Sequence, residues 1–150
     1  MKQFVHLLQE LFDDFLDCYA VWNAKECGAD PRERLNAGDC GTAAIAVGWV
    51  FEQLIGRDIT YCDNTNHGFL EFYNWCYDTL TPEGVRQQHV FGHQVNHPII
   101  RTQDVRAMHY QFLRNDPLGY SWVCEFCGRW GVKPYSLTDF SAGKVKGKIS

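Results

Sequence analysis

The chain has 150 residues, the size of one compact domain. Hydrophobic residues make up 45% and charged residues 21%, the balance of a globular protein rather than of a low-complexity segment. A net charge of −4 and a pI of about 5.8 give no pull towards nucleic acid or an anionic membrane.

The opening stretch, Met1 to Glu10, has an apolar run broken by His6, Gln9 and Glu10, so it lacks the apolar region of a signal peptide. No stretch approaches the roughly 20 apolar residues that span a bilayer. The seven cysteines are odd in number and scattered. Without an export signal, that usage points to reduced thiols in a cytoplasmic protein.

Along the chain, Phe4, Leu7, Leu8, Leu11, Phe12, Phe15, Leu16 and Tyr19 recur at steps of three and four, which predicts an amphipathic helix over 3–23. Cys27 to Gly38 holds the Gly, Pro, Asn and Asp of a loop. A second helix is expected from Asp39 to a C-cap at Gly56, its small residues suited to burial under a sheet. Strands are expected at Asp58–Cys62, Gly68–Tyr73 and Trp75–Asp78, with a bend at Asn74 between the last two. Thr81-Pro82-Glu83-Gly84 reads as a turn, and the His-rich stretch from Gln87 to His97 takes no clear assignment. Residues 103–114 form a third helix behind Thr102 as N-cap, and the stretch through Trp122, Cys124, Cys127 and Trp130 reads as strand and turn. Residues 141–150, with Lys144, Lys146 and Lys148, form a basic tail expected to fray, leaving one domain over 1–140.

The chemistry concentrates between Asn36 and Gly84. Cys40 stands between a glycine-containing loop and the first turn of a helix, where backbone N–H groups and the helix dipole stabilise a thiolate. The same groups can bind an oxyanion, and Gly38 and Gly41 leave room for a substrate to approach the sulfur. A thiolate nucleophile needs a partner that carries its proton to the leaving group, and His67 is the candidate. If the strands after His67 form a hairpin, the turn at Asn74 brings Asp78 back level with His67, where a carboxylate orients the imidazole.

The segments GDCGTAA, HGFLEF and NWCYDTLTPEG resemble, in order and placement, the transglutaminase-like branch of the papain-type cysteine hydrolases. The Asp-Cys-Gly beginning is also similar to papain-like peptidases that process leader peptides and to cell-wall peptidases. The resemblance covers residues 36–84 and implies an α+β, papain/transglutaminase-like core. It carries over the nucleophile to Cys40, the base to His67 and the acid to Asp78. The family's glutamine upstream of the nucleophile has no counterpart; Asn36 is the nearest amide. Asn36, Gly41 and Asn74 are the candidates for oxyanion or supporting roles, with Glu71 and Asn74 as understudies for the orienting acid.

Plainer readings stand beside these. Free cysteine is among the most buried residue types, so Cys40 can be a core residue. His67 lies in an Asn-rich turn, and Asp78 can simply cap the turn that follows it. Cys124 and Cys127 form a CxxC, with His109 or the histidines at 89, 93 and 97 as the partners a zinc site needs; buried thiols are the default.

The reaction expected is hydrolysis of an amide in a peptide, isopeptide or glutamine side chain, through a thioester and without a cofactor. The partner is then a protein or peptide. The alternatives are an acyltransferase or transglutaminase, a zinc-binding interaction module on Cys124 and Cys127, or a binding or inhibitory protein of phage or mobile-element origin that keeps the fold without turnover.

Overall fold

A computed structural model describes residues 2–23, 30–65, 67–86 and 98–137. The architecture is α+β: five helices against one antiparallel sheet.

α1 (Lys2–Trp22) forms as its periodicity requires, burying Leu8, Leu11, Phe12, Phe15 and Tyr19 on one stripe. α2 (Pro31–Gly38) replaces the second half of the loop expected over Cys27–Gly38. Asp30 caps it, accepting a hydrogen bond from the Arg32 amide at 3.0 Å, and Pro31 takes the first helical position. Only Leu35 of this helix is buried, so it has no apolar periodicity for a sequence reading to detect. Residues 24–29 lie outside the described part of the chain.

α3 (Cys40–Ile55) follows after the single residue Asp39 and ends on Gly56, left-handed at φ 67° as a C-cap requires. Every residue from Cys40 to Gly48 is buried, which makes α3 the central element, packed on the sheet and on the other helices. Its small residues permit this closeness. A Cβ on Gly48 would stand 2.4 Å from the Tyr61 ring and 3.0 Å from Leu70.

The sheet consists of β1 (Thr60–Asp63), β2 (Gly68–Phe72), β3 (Trp75–Tyr77), β4 (Val85–Arg86) and β5 (Ile100–Thr102), in the order β4-β3-β2-β1-β5. β2 and β3 form a hairpin, with Leu70 opposite Tyr77 and Phe72 opposite Trp75. Its turn is Tyr73-Asn74, both with positive φ (52° and 66°), the geometry that matches the twist of a two-residue hairpin.

α4 (Val105–Leu113) starts later than Thr102 suggests. Asp104 is the N-cap, accepting from the Arg106 amide at 2.9 Å, while the Thr102 hydroxyl accepts from the Asp104 amide. The strand and turn expected around Trp122–Trp130 are instead α5 (Pro117–Arg129), started by the Asp116 cap and Pro117. Trp122 stacks on Trp22 at 5.5 Å, and Phe126 meets Phe15 edge-on at 5.2 Å. Packing against α1 makes this aromatic, glycine-containing stretch helical, overriding its local strand preference. The His-rich stretch 87–97 and the basic tail 141–150 lie outside the described residues.

Candidate active site

Three elements converge on Cys40. The residue opens α3, and the Asp39 before it makes no side-chain cap. The Asp39 carboxylate is turned to the Tyr19 hydroxyl of α1, 2.8 Å away. First-turn amides of a helix have no intrahelical acceptor, so a first-turn sulfur sits at the positive end of the helix. The Gly68 amide at the start of β2 donates to Cys40 Sγ at 3.3 Å.

Two glycines let these elements meet. A Cβ on Gly68 would come within 3.0 Å of the Gly41 Cα, and a Cβ on Gly41 would overlap the Phe112 ring at 2.3 Å. The same ring lies 3.1 Å from the Gly68 position, so Phe112 of α4 covers the seam between the segments bearing Cys40 and His67.

His67 is locked at both backbone and ring. Its amide donates to Asn64 Oδ1 at 2.7 Å, and its carbonyl accepts from the Asn64 amide at 3.2 Å. The ring stacks on Phe69, and Nε2 lies 2.8 Å from Asp78 Oδ2. Burial alone would lower the His67 pKa. The hydrogen bonds and charges of Asp78 and Cys40 outweigh it and raise the value to about 9. The site therefore favours an imidazolium beside a sulfur. Exposures of 8% for Cys40 and 2% each for His67 and Asp78 set this arrangement below the surface.

Asp78 is divided between two tasks. Oδ2 meets His67, while Oδ1 accepts from the Thr81 amide at 2.7 Å and the Thr81 hydroxyl at 2.6 Å. Turn capping and orientation of His67, separate readings of the sequence, are both performed by one carboxylate. From α2, Arg32 Nη1 donates to the Thr79 carbonyl at 2.6 Å and ties down the same turn.

With that geometry in place, comparison gives no precedent. The chain matches no family model, no curated protein and no solved structure.

The structure thus brings Cys40, His67 and Asp78 together from helix, strand and hairpin return. The supporting candidates separate. Gly41 adjoins Cys40 in the first turn of α3, and Asn36 lies four residues before Cys40 in α2, its Oδ1 buried without a partner among the described residues. Asn74 does not join them: it is exposed at the far end of the hairpin from His67, because the turn that returns Asp78 must lie a strand length away. Glu71 does not reach His67 either; it pairs with Arg101 at 3.1 Å and lies opposite Cys76.

The zinc candidates do not assemble. Cys124 and Cys127 lie in α5, and His109 Nδ1 shares a 2.7 Å hydrogen bond with the Tyr135 hydroxyl. Among the described residues no three His, Cys, Asp or Glu side chains are gathered as a metal would require. The histidines at 89, 93 and 97 lie outside those residues. Thr81, Asn64 and Phe112 escaped the sequence reading. For Thr81 a signal existed in Asp-x-x-Thr at the head of a turn; for Phe112 there was none, since its role depends on how α4 packs.

A cavity of about 590 Å³ lies away from this site, lined among others by Trp49, Glu52, Asp58, Asp104, Arg106 and Tyr135. Among the described residues no helix is long and apolar enough to cross a membrane.

Proposed function

We propose that this protein is a thiol-dependent hydrolase on a papain/transglutaminase-like core, cleaving an amide in a protein or peptide. The observation that carries the reading is His67 held by Asp78 beside Cys40 at the head of α3. In the first half-reaction the Cys40 thiolate attacks the acyl carbon, and the protonated His67 gives its proton to the departing amine. A thioester and a neutral imidazole remain. Water then attacks the thioester as His67 takes its proton, and the acid leaves with Cys40 restored as thiolate beside imidazolium. An amine in place of water would make the same site an acyltransferase. The Gly68 amide on Sγ stabilises the thiolate, and the first turn of α3 supplies donors for the charge that develops on the acyl oxygen. The six described cysteines are free, which fits action in the reducing cytoplasm.

A second reading is a binding or inhibitory protein that keeps the arrangement without turnover. The 8% exposure of Cys40 and the Phe112 ring over its neighbouring glycine favour it.

Alkylation of Cys40 by iodoacetamide, followed against pH by peptide mass spectrometry in the wild type and in His67→Ala, separates the two. The hydrolase reading requires reactivity to persist well below the ordinary thiol pKa of about 8.5 and to depend on His67. A Cys40 that does not react, or that titrates as an ordinary thiol in both proteins, would leave the binding reading.

A further inference from the structure

Asp78 is a buried carboxylate whose usefulness to His67 depends on which way its oxygens face. The structure answers with Thr81, which places two donors on Oδ1: its amide at 2.7 Å and its hydroxyl at 2.6 Å. Oδ2 is thereby left facing His67 Nε2 at 2.8 Å.

The turn itself does not need the hydroxyl. It closes through backbone bonds, from the Thr81 amide to the Asp78 carbonyl at 3.2 Å and from the Gly84 amide to the Thr81 carbonyl at 3.0 Å. Gly84 supplies the left-handed corner at φ 91°, and Arg32 secures the Thr79 carbonyl from outside. The Thr81 hydroxyl is thus surplus to the turn and committed to the carboxylate.

We propose that Thr81 is a positioning residue of this site, its hydroxyl holding Asp78 Oδ1 so that Oδ2 stays turned towards His67. The inference rests on the reading of Cys40, His67 and Asp78 as a catalytic unit. Among the described residues, ionisable groups near this unit include Cys40 of α3 beside His67, Cys76 of β3 near Asp78, and Arg32 of α2 at the adjoining turn. None of them is altered by a change at Thr81.

The test is the pH profile of Cys40 alkylation by iodoacetamide in the wild type, Thr81→Val, Thr81→Ser and His67→Ala. Valine preserves shape and the backbone amide but removes the hydroxyl. Thr81→Val should move the midpoint upward by about one pH unit, roughly tenfold slower reaction on the rising limb, towards the His67→Ala profile. Thr81→Ser should restore the wild-type profile. A Thr81→Val profile equal to wild type, while His67→Ala differs, would overturn the role of Thr81 and leave the triad standing. An ordinary thiol profile in wild type and His67→Ala alike would instead remove the catalytic reading beneath it. Far-UV circular dichroism checks each variant, with Thr81→Ala as the replacement should the valine variant not fold. If both unfold while Thr81→Ser stays folded, the hydroxyl serves stability and the proposal fails.

Discussion

At the scale of single residues, buried ionisable groups decide what this protein can do and what they cost it. Glu52 of α3 accepts hydrogen bonds from the Tyr61 hydroxyl and the Ile59 amide. Burial nevertheless dominates and raises its pKa from 4.5 to about 7. A carboxyl whose folded-state pKa is raised gives stability that is complete below the unfolded value and lost as pH rises through the folded one. Glutamine keeps the acceptor for Tyr61 and removes the charge. Glu52→Gln should match the wild type in urea unfolding below pH 4.5 and exceed it by roughly 2 kcal/mol above pH 7. Equal stability at both ends would place the Glu52 charge in water. His67 is buried too, but there its hydrogen bonds with Asp78 and Cys40 outweigh burial and raise its pKa. Cys40 and Asp78 were marked in the sequence by neighbours, a glycine-flanked helix start and a turn. Thr81 carried only the weaker mark of Asp-x-x-Thr at the head of a turn, and Phe112 carried none, because nothing in its flanks distinguishes it from an ordinary helix face.

At the scale of elements, the position of α3 sets the site. Its N-terminal half lies so close to β1 and β2 that glycine is the only residue admitted at position 48. Adding a methyl group there forces Tyr61 or the helix axis to move, and overpacking of this kind costs about 1–3 kcal/mol. Gly48→Ala should show that loss in urea unfolding with an unchanged m-value, while α3 gains helix propensity. A stabilised variant would mean that α3 has slack against the sheet. The same closeness recurs at Gly41 and Gly68, where the helix bearing Cys40 meets the start of β2, next to His67. Helix start, hairpin and turn were legible because each is governed by neighbouring residues. α5 was not, since Trp122, Val123, Phe126 and Cys127 become a buried face only when α1 lies against them.

For the whole molecule, the shifted groups apart from His109 share a sign. His67, Glu52, Asp39 and Asp63 all have raised pKa values, the carboxyls through burial and His67 through its partners. Folding therefore takes up protons. The His67 contribution is complete below pH 6.5 and is lost as pH rises through about 9; that of Glu52 is lost between 4.5 and about 7. His109, lowered by burial, opposes them only below its ordinary pKa of 6.5. The thermal midpoint of the wild type should fall as pH climbs from 6.5 to 9, and His67→Ala should flatten that fall whatever its overall loss of stability. A midpoint that rises over the same interval would contradict the ion pair at the centre of the site.

The sequence by itself determined α1, α3 with its Gly56 cap, the β2–β3 hairpin and the order of thiol, imidazole and carboxylate along the chain. Helical periodicity, a left-handed cap and a two-residue turn are all properties of residues close in sequence, so they can be read without knowing the fold. The tertiary structure alone decided that α5 is a helix, that Asn74 and Glu71 lie outside the site, that Phe112 covers Gly41 and Gly68, and that Thr81 holds Asp78. Those outcomes depend on which surfaces remain to be buried once distant elements have packed, and on distances of a few tenths of an ångström that local preference does not specify.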